Sequence, residues 1–519
     1  MSGAPEGSVA RADVERNGAR VRVELADGSV RRVPLKRVHD PGPLIAGQGA
    51  EHGADVRIAT ASVAPGWRGV DLALSNGKTV ALALGSAPLG AGLPRAEDGR
   101  PLCDLVVIGI GKLMTIDPGA AAGQRLALKD APQGGLAIGV CQSSVVWIGH
   151  AADVTEKLLF APGGRIVDAR GGLVTPGLVE PHAHPVWGGS RAAEFGARAA
   201  GASYQEIAAA GGGIASTVRA TRTASERKPR EAAAARLARL ASWGVTTCEA
   251  KSGYALEEAG EVRLLEVIAE LDALGPLDLV PTLLAAHAVP PEARGDAAAR
   301  AEWVRVCADV LPARVRAEEL AESIDVFCDE GAFTLEEARR VLEGGRAAGL
   351  AVRVHADQLA ALGASALAAE LGALSVDHLE HLPESAIPAL ARAGTVAVCL
   401  PGAAITLGQP LPPARALLDG GVAVALGTDL NPGSSMTEAL PLQMWLATTA
   451  LKMSVEEAWL GVTLNAARAV ARPHAGRLAV GGPADLVVWD AEEPEEIPYH
   501  YGANLARVVI KAGRVIAVR

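Results

Sequence analysis

Two histidines two positions apart follow a short apolar run at residues 173–179, and they are the residues best suited to chemistry in this 519-residue chain. They are His182 and His184, in the segment GGLVTPGLVEPHAHPVWGG. Side chains at positions i and i+2 of an extended strand point to the same side. Two neighbouring imidazoles can therefore bind one metal ion. Taken alone, such a pair is equally typical of structural histidines, so further residues must decide.

Three further residues of metal-binding types also follow apolar segments. His355 ends AVRVH, His378 ends SVDH, and Asp429 ends VAVALGTD. The carboxyl ends of the strands in a (β/α)8 barrel meet at one mouth, where the active sites of such barrels lie. If these segments are strands of one barrel, three nitrogens and one oxygen form a ligand set that suits zinc or iron better than magnesium. The predicted metal ligands are His182, His184, His355 and Asp429.

This ligand set predicts a hydrolytic reaction. A metal-bound water molecule can be deprotonated near neutral pH, because its pKa falls from about 16 to roughly 7. Asp429 can accept that proton, and His378 can hydrogen-bond the water or a developing oxyanion. The segment TDLNPGSS, residues 428–435, adds backbone amides and small polar groups near the metal. A simple turn with a helix cap would have the same composition.

Other polar residues at the predicted strand ends suit an anionic ligand. Arginine is the usual bidentate partner of a carboxylate, although each residue alone is as typical of a structural side chain. Lys251 could be carbamylated to bridge two metals, but the complete set of ligands for one metal favours a structural or electrostatic role. The residues concerned are Arg191, Lys251, Tyr254 and His287.

The elements that would hold these residues alternate along the centre of the chain. Between residues 172 and 470, short apolar segments predicted as strands alternate with Ala-rich amphipathic segments such as PREAAAARLARLASWG. Eight strand–helix units in about 300 residues predict a (β/α)8 TIM barrel, with a doubly wound sheet as the alternative. The predicted strands end at His184, Glu249, His287, Asp329, His355, His378, Pro401 and Asp429.

The segments on both sides of the predicted barrel have the patterns of β-structure. Strand patterns in residues 99–171 and 471–519 predict one composite β-sandwich domain made from two separate parts of the chain. Residues 1–98 contain two hairpin signals, in which alternating apolar residues surround the turn dipeptides Asp27-Gly28 and Asn76-Gly77. We expect these residues to form a small N-terminal β module of unknown role.

Composition and charge limit the class of protein. The formal net charge of -10 provides no basic surface for a nucleic acid. The six cysteines include no CxxC pair, and several lie in apolar segments, which indicates free thiols in a reducing compartment. The first residues lack an apolar signal core, and no apolar run reaches membrane-spanning length. We therefore expect a cytoplasmic protein that binds neither nucleic acid nor membranes.

Several motifs together resemble the amidohydrolase superfamily and, within it, the imidazolonepropionase family. HxH with the later Asp429 is typical of the superfamily, whereas TDLNPGSS with GGSR and KSGY is specific to the narrower family. Further matching segments include GGGIASTVRATRTAS, DVFCDEGAF, VHADQLAALGA, VDHLEHL and IPYHYGANL. The resemblance implies a (β/α)8 barrel with a composite β domain and one Zn2+ or Fe2+/Fe3+ ion per chain. We also expect a homodimer.

The resemblance also implies a reaction and the residues that bind its substrate. The family hydrolyses the cyclic amide C–N bond of 4-imidazolone-5-propanoate to N-formimidoyl-L-glutamate in L-histidine degradation. Where the family can have a glutamate this chain has Gln358, which cannot act as a base. Asp429 is then the expected base, and Gln358 a hydrogen-bonding group. The implied substrate contacts are Arg191, Tyr254, His287, Gln358, Asn431, Gly433 and Ser434.

Two other functions stay open at this point. Another amidohydrolase, such as a heterocycle deaminase or a related cyclic amidase, would use the same metal ligands, and Arg191 would favour a carboxylate-bearing substrate for it as well. A non-catalytic barrel scaffold would be marked by lost metal ligands, and this sequence keeps all of them.

Overall fold

The computed structural model describes residues 95–519, except 97, 118, 120–125, 203–205, 207–210 and 226, and the backbone of six strands before residue 95. These strands are β1 Val9–Val14, β2 Arg20–Leu25, β3 Val30–Pro34, β4 Ile58–Val63, β5 Gly69–Leu74 and β6 Thr79–Ala83. They form two antiparallel three-stranded sheets, β1-β2-β3 and β4-β5-β6. The predicted turns Asp27-Gly28 and Asn76-Gly77 fall between paired strands but lie outside the described residues.

The next part of the chain is β-structure as well. Its strands are β7 Leu102–Ile110, β8 Lys112–Ile116, β9 Leu126–Asp130, β10 Leu136–Cys141, β11 Ser144–His150, β12 Leu159–Asp168 and β13 Leu173–Pro176. Four of these strands form one sheet in the order β11-β10-β7-β12.

A barrel of eight parallel strands forms the centre of the chain. Its strands are hydrogen-bonded in chain order, so the (β/α)8 prediction is confirmed and the doubly wound alternative is excluded. Almost every residue of these strands is buried, as expected for parallel strands covered on both faces. The strands are β14 Leu178–Glu180, β15 Val245–Lys251, β16 Asp278–Ala286, β17 Ser323–Cys328, β18 Ala351–Ala356, β19 Ser375–His378, β20 Val396–Cys399 and β21 Val424–Leu426.

The last three strands complete a sheet that begins before the barrel. They are β22 Leu486–Trp489, β23 Ala506–Lys511 and β24 Arg514–Val518. The sheet has the order β24-β23-β22-β13-β8-β9, so it is built from both flanks of the barrel. Buried Leu, Val and Ile side chains of this sheet and of the four-stranded sheet form one hydrophobic cluster. The domain limits near residues 98, 171 and 470 stay a prediction.

Amphipathic helices connect most of the barrel strands. Leu335–Ala347, for example, begins with a capping box between Thr334 and Glu337, and it buries residues 338, 341, 342 and 345, which lie on one helical face. Within the described part of the chain, no helix is both long and apolar enough to cross a membrane. The other helices of eight or more residues are Ala192–Ala199, Ile214–Thr223, Arg227–Ser242, Glu258–Leu274, Ala297–Arg305, Ala364–Leu371 and Leu440–Thr449.

One strand prediction is wrong in detail. The apolar run at residues 173–179 was expected to form a single strand, but the structure divides it at Gly177 between two sheets. β13 joins the composite sheet, and β14 joins the barrel. A side chain at Gly177 would overlap Thr246, so the chain changes sheets where only glycine fits. The histidines thus follow a three-residue barrel strand.

The first and last barrel strands are joined just beyond their carboxyl ends. A backbone bridge links Ala183 to Leu430. The backbone N of His184 donates to the carbonyl of Leu430 at 2.9 Å, and the backbone N of Asp429 donates to the carbonyl of His182 at 3.1 Å. The barrel therefore closes through the residues that are predicted to bind the metal.

Glu180 reinforces this closure. Its buried carboxylate accepts hydrogen bonds from the backbone N of His182 at 2.9 Å and of Thr428 at 3.0 Å. Burial raises the pKa of Glu180 to about 8. One side chain on the first strand thus also fixes the chain next to the last strand.

A chain shortened to begin at Pro101 should fold and retain the turnover of the full chain, because strands β7 to β24 complete their sheets among themselves. Circular dichroism, thermal unfolding and turnover of the short and full chains provide the comparison. An unfolded product would show that the first 100 residues complete the composite domain. A folded but inactive product would show that they contribute to the active site.

Candidate active site

Histidine and aspartate side chains meet at the carboxyl ends of the barrel strands. Nε2 of His182 lies 3.4 Å from Nε2 of His184. Oδ1 of Asp429 lies 3.5 Å from the first of these nitrogens and 3.6 Å from the second. A ring nitrogen of His355 lies within 4.8 Å of a ring nitrogen of each of these histidines. A ring nitrogen of His378 lies within 4.8 Å of a ring nitrogen of His182 and of a carboxylate oxygen of Asp429. The structure brings together all the residues that the sequence predicts as metal ligands.

These distances fit a bound divalent cation. Ligand atoms at about 2.0–2.2 Å from a tetrahedrally coordinated ion are about 3.3–3.6 Å apart. The atoms of His182, His184 and Asp429 have this spacing. Nε2 of His355 is buried and has no hydrogen-bond partner among the described residues, which a metal ion would supply.

Two carboxylates fix the orientation of the imidazoles. Nδ1 of His182 hydrogen-bonds Oδ2 of Asp377 at 2.7 Å, and Nδ1 of His355 lies 2.9 Å from Oδ2 of Asp325. A proton held on Nδ1 leaves the lone pair of Nε2 free for a metal ion. Asp377 therefore selects this tautomer for His182, and Asp325 lies beside the corresponding nitrogen of His355.

Lys251 and Arg353 compensate these buried carboxylates. Nζ of Lys251 donates to Oε1 of Glu249 and to Oδ2 of Asp325, each at 2.7 Å. Nε of Arg353 lies 3.2 Å from the same oxygen of Glu249, and its Nη2 lies 3.6 Å from Oδ2 of Asp377. The five side chains are fully buried, so their charges depend on one another rather than on water. We call these five residues the charge network.

The charge network gives Lys251 an electrostatic role. Burial opposes its charge, but the carboxylates of Asp325 and Glu249 outweigh this effect and raise the pKa of Lys251. Carbamylation needs a neutral amine, and this amine is protonated and bonded to two carboxylates. The geometry thus supports the structural or electrostatic interpretation of Lys251.

Burial keeps three imidazoles of the site neutral. Burial and the ammonium of Lys251 lower the pKa of His182 well below its usual range. Burial and the neighbouring His287 do the same to the pKa of His184, and burial lowers the pKa of His287 to about 3. Neutral imidazole is the form that binds metal ions.

His378 has a different environment. Burial opposes the charge of His378, but Glu380, whose Oε1 lies 3.4 Å from Nδ1 of His378, raises the pKa of His378.

Three residues of the site have a left-handed backbone. The φ angle is 80° at His378, 52° at Asp357 and 51° at Asp429. Positive φ is uncommon outside glycine and costs roughly 1–3 kcal/mol, and such strain concentrates at functional sites.

The turn after the last barrel strand fixes Asp429. Oγ of Ser434 donates to Oδ2 of Asp429 at 3.0 Å, and Oδ1 faces the two histidines. Asn431 donates to the carbonyl of Asp429 and to Oγ of Ser434, and accepts from the backbone N of Gly433 and of Ser434. The amide of Asn431 thus has all its hydrogen-bonding capacity used within the turn. Burial raises the pKa of Asp429, which makes it a better base.

The residues predicted to contact a substrate border the metal ligands. The ring of His287 stacks on that of His184 with 5.0 Å between centroids. The ring of Tyr254 lies 5.9 Å from His184 and 5.2 Å from His287. Nδ1 of His287 lies 3.0 Å from the carbonyl of Gly253, and as the donor there it leaves Nε2 as an acceptor. Arg191 reaches the turn after the last barrel strand. Its Nη1 lies where the Cβ of any residue other than glycine would be at position 433.

The loop after β18 carries Gln358, which is buried. Its backbone N donates to Oδ2 of Asp329 at 2.7 Å, and the backbone N of Leu359 and of Ala360 donate to the same carboxylate. Asp329 therefore organises the loop that carries Gln358, three residues after the predicted ligand His355.

The sequence reasoning predicted a structural or electrostatic role for Lys251 but missed its partners in the charge network. The available signal was a charged residue within an apolar strand, such as Arg353 in AVRVHA or Asp325 in SIDVFC. A buried charge is costly unless it is paired, so each of these residues required a partner. The partners could not be named from sequence, because they lie on other strands of the barrel.

Comparison with known proteins places the chain among related sequences. Residues 210–517 match the model of the amidohydrolase family. The imidazolonepropionase of Myxococcus xanthus is 46% identical over 80% of this chain and 97% of its own length. That of Symbiobacterium thermophilum is 44% identical over 80% of this chain and 98% of its own length. An adenosine deaminase from Xanthomonas campestris shares the fold, with a TM-score of 0.60 and 18% identity over 81% of this chain and 94% of its own.

Replacing Lys251 with methionine should destabilise the protein by about 3–5 kcal/mol, because it leaves buried carboxylates without a counter-charge. Urea denaturation measures the change in the free energy of unfolding. Lys157→Met is the matched control, since the ion pair of Lys157 with Glu156 is exposed and should leave the midpoint unchanged. If both variants unfold like the unchanged protein, the charge network does not support the fold.

Proposed function

The chain belongs to the imidazolonepropionase family of amidohydrolases and is a hydrolase acting on C–N bonds, and we propose that it opens the ring of 4-imidazolone-5-propanoate to give N-formimidoyl-L-glutamate. The family assigned from the sequence motifs is confirmed by these relatives. The observation that carries the proposed reaction is the spacing of His182, His184 and Asp429 at a barrel mouth that also contains Arg191.

The proposed cofactor is one Zn2+ or one Fe2+/Fe3+ ion per chain. When bound, such an ion would polarise the ring carbonyl and lower the pKa of a water molecule that it holds. Three imidazole nitrogens and one carboxylate oxygen suit either metal. The proposed ligands are His182, His184, His355 and Asp429.

Asp429 and His378 carry the proposed proton transfers. Asp429 accepts a proton from the attacking water, whose oxygen adds to the ring carbonyl carbon. His378 donates a hydrogen bond to the carbonyl oxygen as it becomes negative. The bond between this carbon and the ring nitrogen then breaks, and Asp429 delivers the proton to the leaving nitrogen. The carboxylic acid formed loses the second proton of the water to solvent, so the products are a carboxylate and a formimidoyl group, with one water consumed.

Neighbouring side chains would hold the substrate. Arg191 pairs with the propanoate, and Tyr254 and His287 orient the ring. Gln358 hydrogen-bonds the imidazolone ring through its amide and does not act as a base. In the turn, Gly433 has no Cβ that would collide with the guanidinium of Arg191. Ser434 orients Asp429 through its hydroxyl and contacts the substrate. Asn431 is proposed to act by shaping this turn, because its amide is fully bonded within it.

Assembly and location belong to the same proposal. We expect a homodimer, which size-exclusion chromatography with light scattering would detect. A reducing compartment such as the cytoplasm suits the six cysteines, which are buried free thiols. The proposed binding partner is the small-molecule substrate, 4-imidazolone-5-propanoate.

The unchanged protein should contain about one zinc or iron per chain and hydrolyse freshly generated imidazolonepropionate. His182→Ala or Asp429→Ala should abolish turnover and lower the metal content, while the circular dichroism spectrum stays unchanged. His474→Ala provides the control, since His474 is exposed. Full turnover by thoroughly metal-stripped protein would refute the metal-dependent mechanism.

Arg191→Ala should lower kcat/KM by about 10- to 1000-fold, because a charged hydrogen bond to the propanoate is lost. Arg227→Ala serves as the control, since the side chain of Arg227 is 75% exposed on a surface helix. Steady-state kinetics with imidazolonepropionate measure the effect. If kcat/KM of Arg191→Ala equals that of the unchanged protein, the propanoate is held elsewhere.

A further inference from the structure

A carboxylate outside the proposed catalytic set holds Arg191. Oε2 of Glu194 accepts a hydrogen bond from Nε of Arg191 at 2.8 Å. The other oxygen, Oε1, accepts from the backbone N of Gly213 at 3.1 Å and from Oγ of Ser216 at 3.0 Å. Glu194 thus has three bonds, and the two on Oε1 fix it independently of Arg191.

Arg191 is also confined from the opposite side. Its Nη1 lies so close to Gly433 that a Cβ there would overlap it. Gly433 belongs to the turn that fixes Asp429 through Ser434. The guanidinium is therefore held between Glu194 and the turn that carries the proposed base.

This arrangement determines which edge of the guanidinium is free. The N–H of Nε is used by Glu194, so a second carboxylate can bind in two parallel bonds only through Nη1 and Nη2. A carboxylate bound at that edge lies at a fixed distance and angle from Asp429.

The local charge still favours an anion. Nη2 of a second arginine, Arg198, donates to the carbonyl of Gly433 at 3.3 Å. Arg191, Arg198 and Glu194 together carry one net positive charge. Glu194 therefore orients Arg191 without cancelling the attraction for an anionic substrate.

We propose that Glu194 is a positioning residue for the recognition of the substrate carboxylate, and that it acts by holding Arg191 with its Nη edge toward the propanoate. The inference rests on the proposed function, since it takes the substrate to be a carboxylate. It assigns Glu194 no contact with the substrate and no part in the proton transfers.

Two effects of removing Glu194 oppose each other, which makes the test decisive. Loss of the anion adds a net positive charge, which by itself would tighten carboxylate binding. Loss of the hydrogen bond frees the guanidinium, and misplacement of a binding group by about 1 Å can cost about 100-fold. The arginine and the glutamate are each only 17% exposed, so the geometric effect should dominate.

The experiment measures kcat and KM of the full-length, metal-loaded protein with imidazolonepropionate and with its neutral propanamide analogue. Glu194→Ala should raise KM for the carboxylate about 10- to 100-fold, with kcat within about threefold and no change for the amide. Glu194→Gln keeps the size of the side chain and an acceptor oxygen, so it should fold normally and show a smaller increase in KM. Glu231→Ala is the control, because Glu231 also pairs with an arginine, Arg227, but on an exposed surface helix, so KM for both compounds should stay unchanged.

A double-mutant cycle completes the test. Once Arg191 is replaced by alanine, the further change Glu194→Ala should not alter KM, because the group that it positions is gone. Equal increases in KM for the carboxylate and the amide would indicate a merely structural role and overturn the inference. A lower KM for the carboxylate would overturn it too, by showing that Glu194 competes with the substrate.

Binding measurements separate this inference from the proposed reaction. If the unchanged protein fails to hydrolyse imidazolonepropionate, the proposed function fails, and calorimetry with 3-(imidazol-4-yl)propanoate and its amide still tests Glu194. A weaker binding of the carboxylate alone to Glu194→Ala would support the inference. Unchanged binding of both compounds would overturn it.

Discussion

Burial of charge beside the metal ligands is the constraint that organises this barrel. Three carboxylates and two cations lie in the barrel without access to water, where an unpaired charge would cost several kcal/mol. Each carboxylate is shared between a cation and another polar group, and Asp325 and Asp377 lie against imidazoles of the proposed metal ligands. The contacts that keep these charges tolerable also set the tautomer of His182 and place Asp325 beside Nδ1 of His355. Stability and ligand geometry therefore depend on one set of bonds.

A second constraint is the closure of the barrel. The backbone bonds that join the first and last strands come from His182, His184 and Asp429 themselves. These residues hold the barrel closed through their main chains, and their side chains face one another at 3.4–3.6 Å. Their relative positions are thus as rigid as the barrel. Arg191, the proposed partner of the propanoate, is not among these residues and is held instead by Glu194.

Local patterns in the sequence predicted the barrel and six of its eight strand ends to within two residues, whereas the first and last strands end at Glu180 and Leu426, before the predicted His184 and Asp429. The meeting of the proposed metal ligands was predicted because strand ends in a barrel converge. A structural or electrostatic role was predicted for Lys251, but its partners were not, since Arg353 and Asp377 come together only after separate strands become neighbours. The division at Gly177 was missed because apolar residues continue on both sides of it. The contact of Asn431 with the substrate stays a prediction, and the motif alone does not reveal that the amide of Asn431 is also bonded within the turn.

The bridge between Ala183 and Leu430 also bears on how the protein is made. The two residues of this bridge are about 250 positions apart in the chain. Because a ribosome adds roughly 5–20 residues per second, they are synthesised on the order of 10–50 s apart. During that time the first strand presents an unpaired edge, to which another nascent chain could add. This edge is covered, and the four proposed metal ligands come together, only after the last barrel strand and Asp429 have left the exit tunnel.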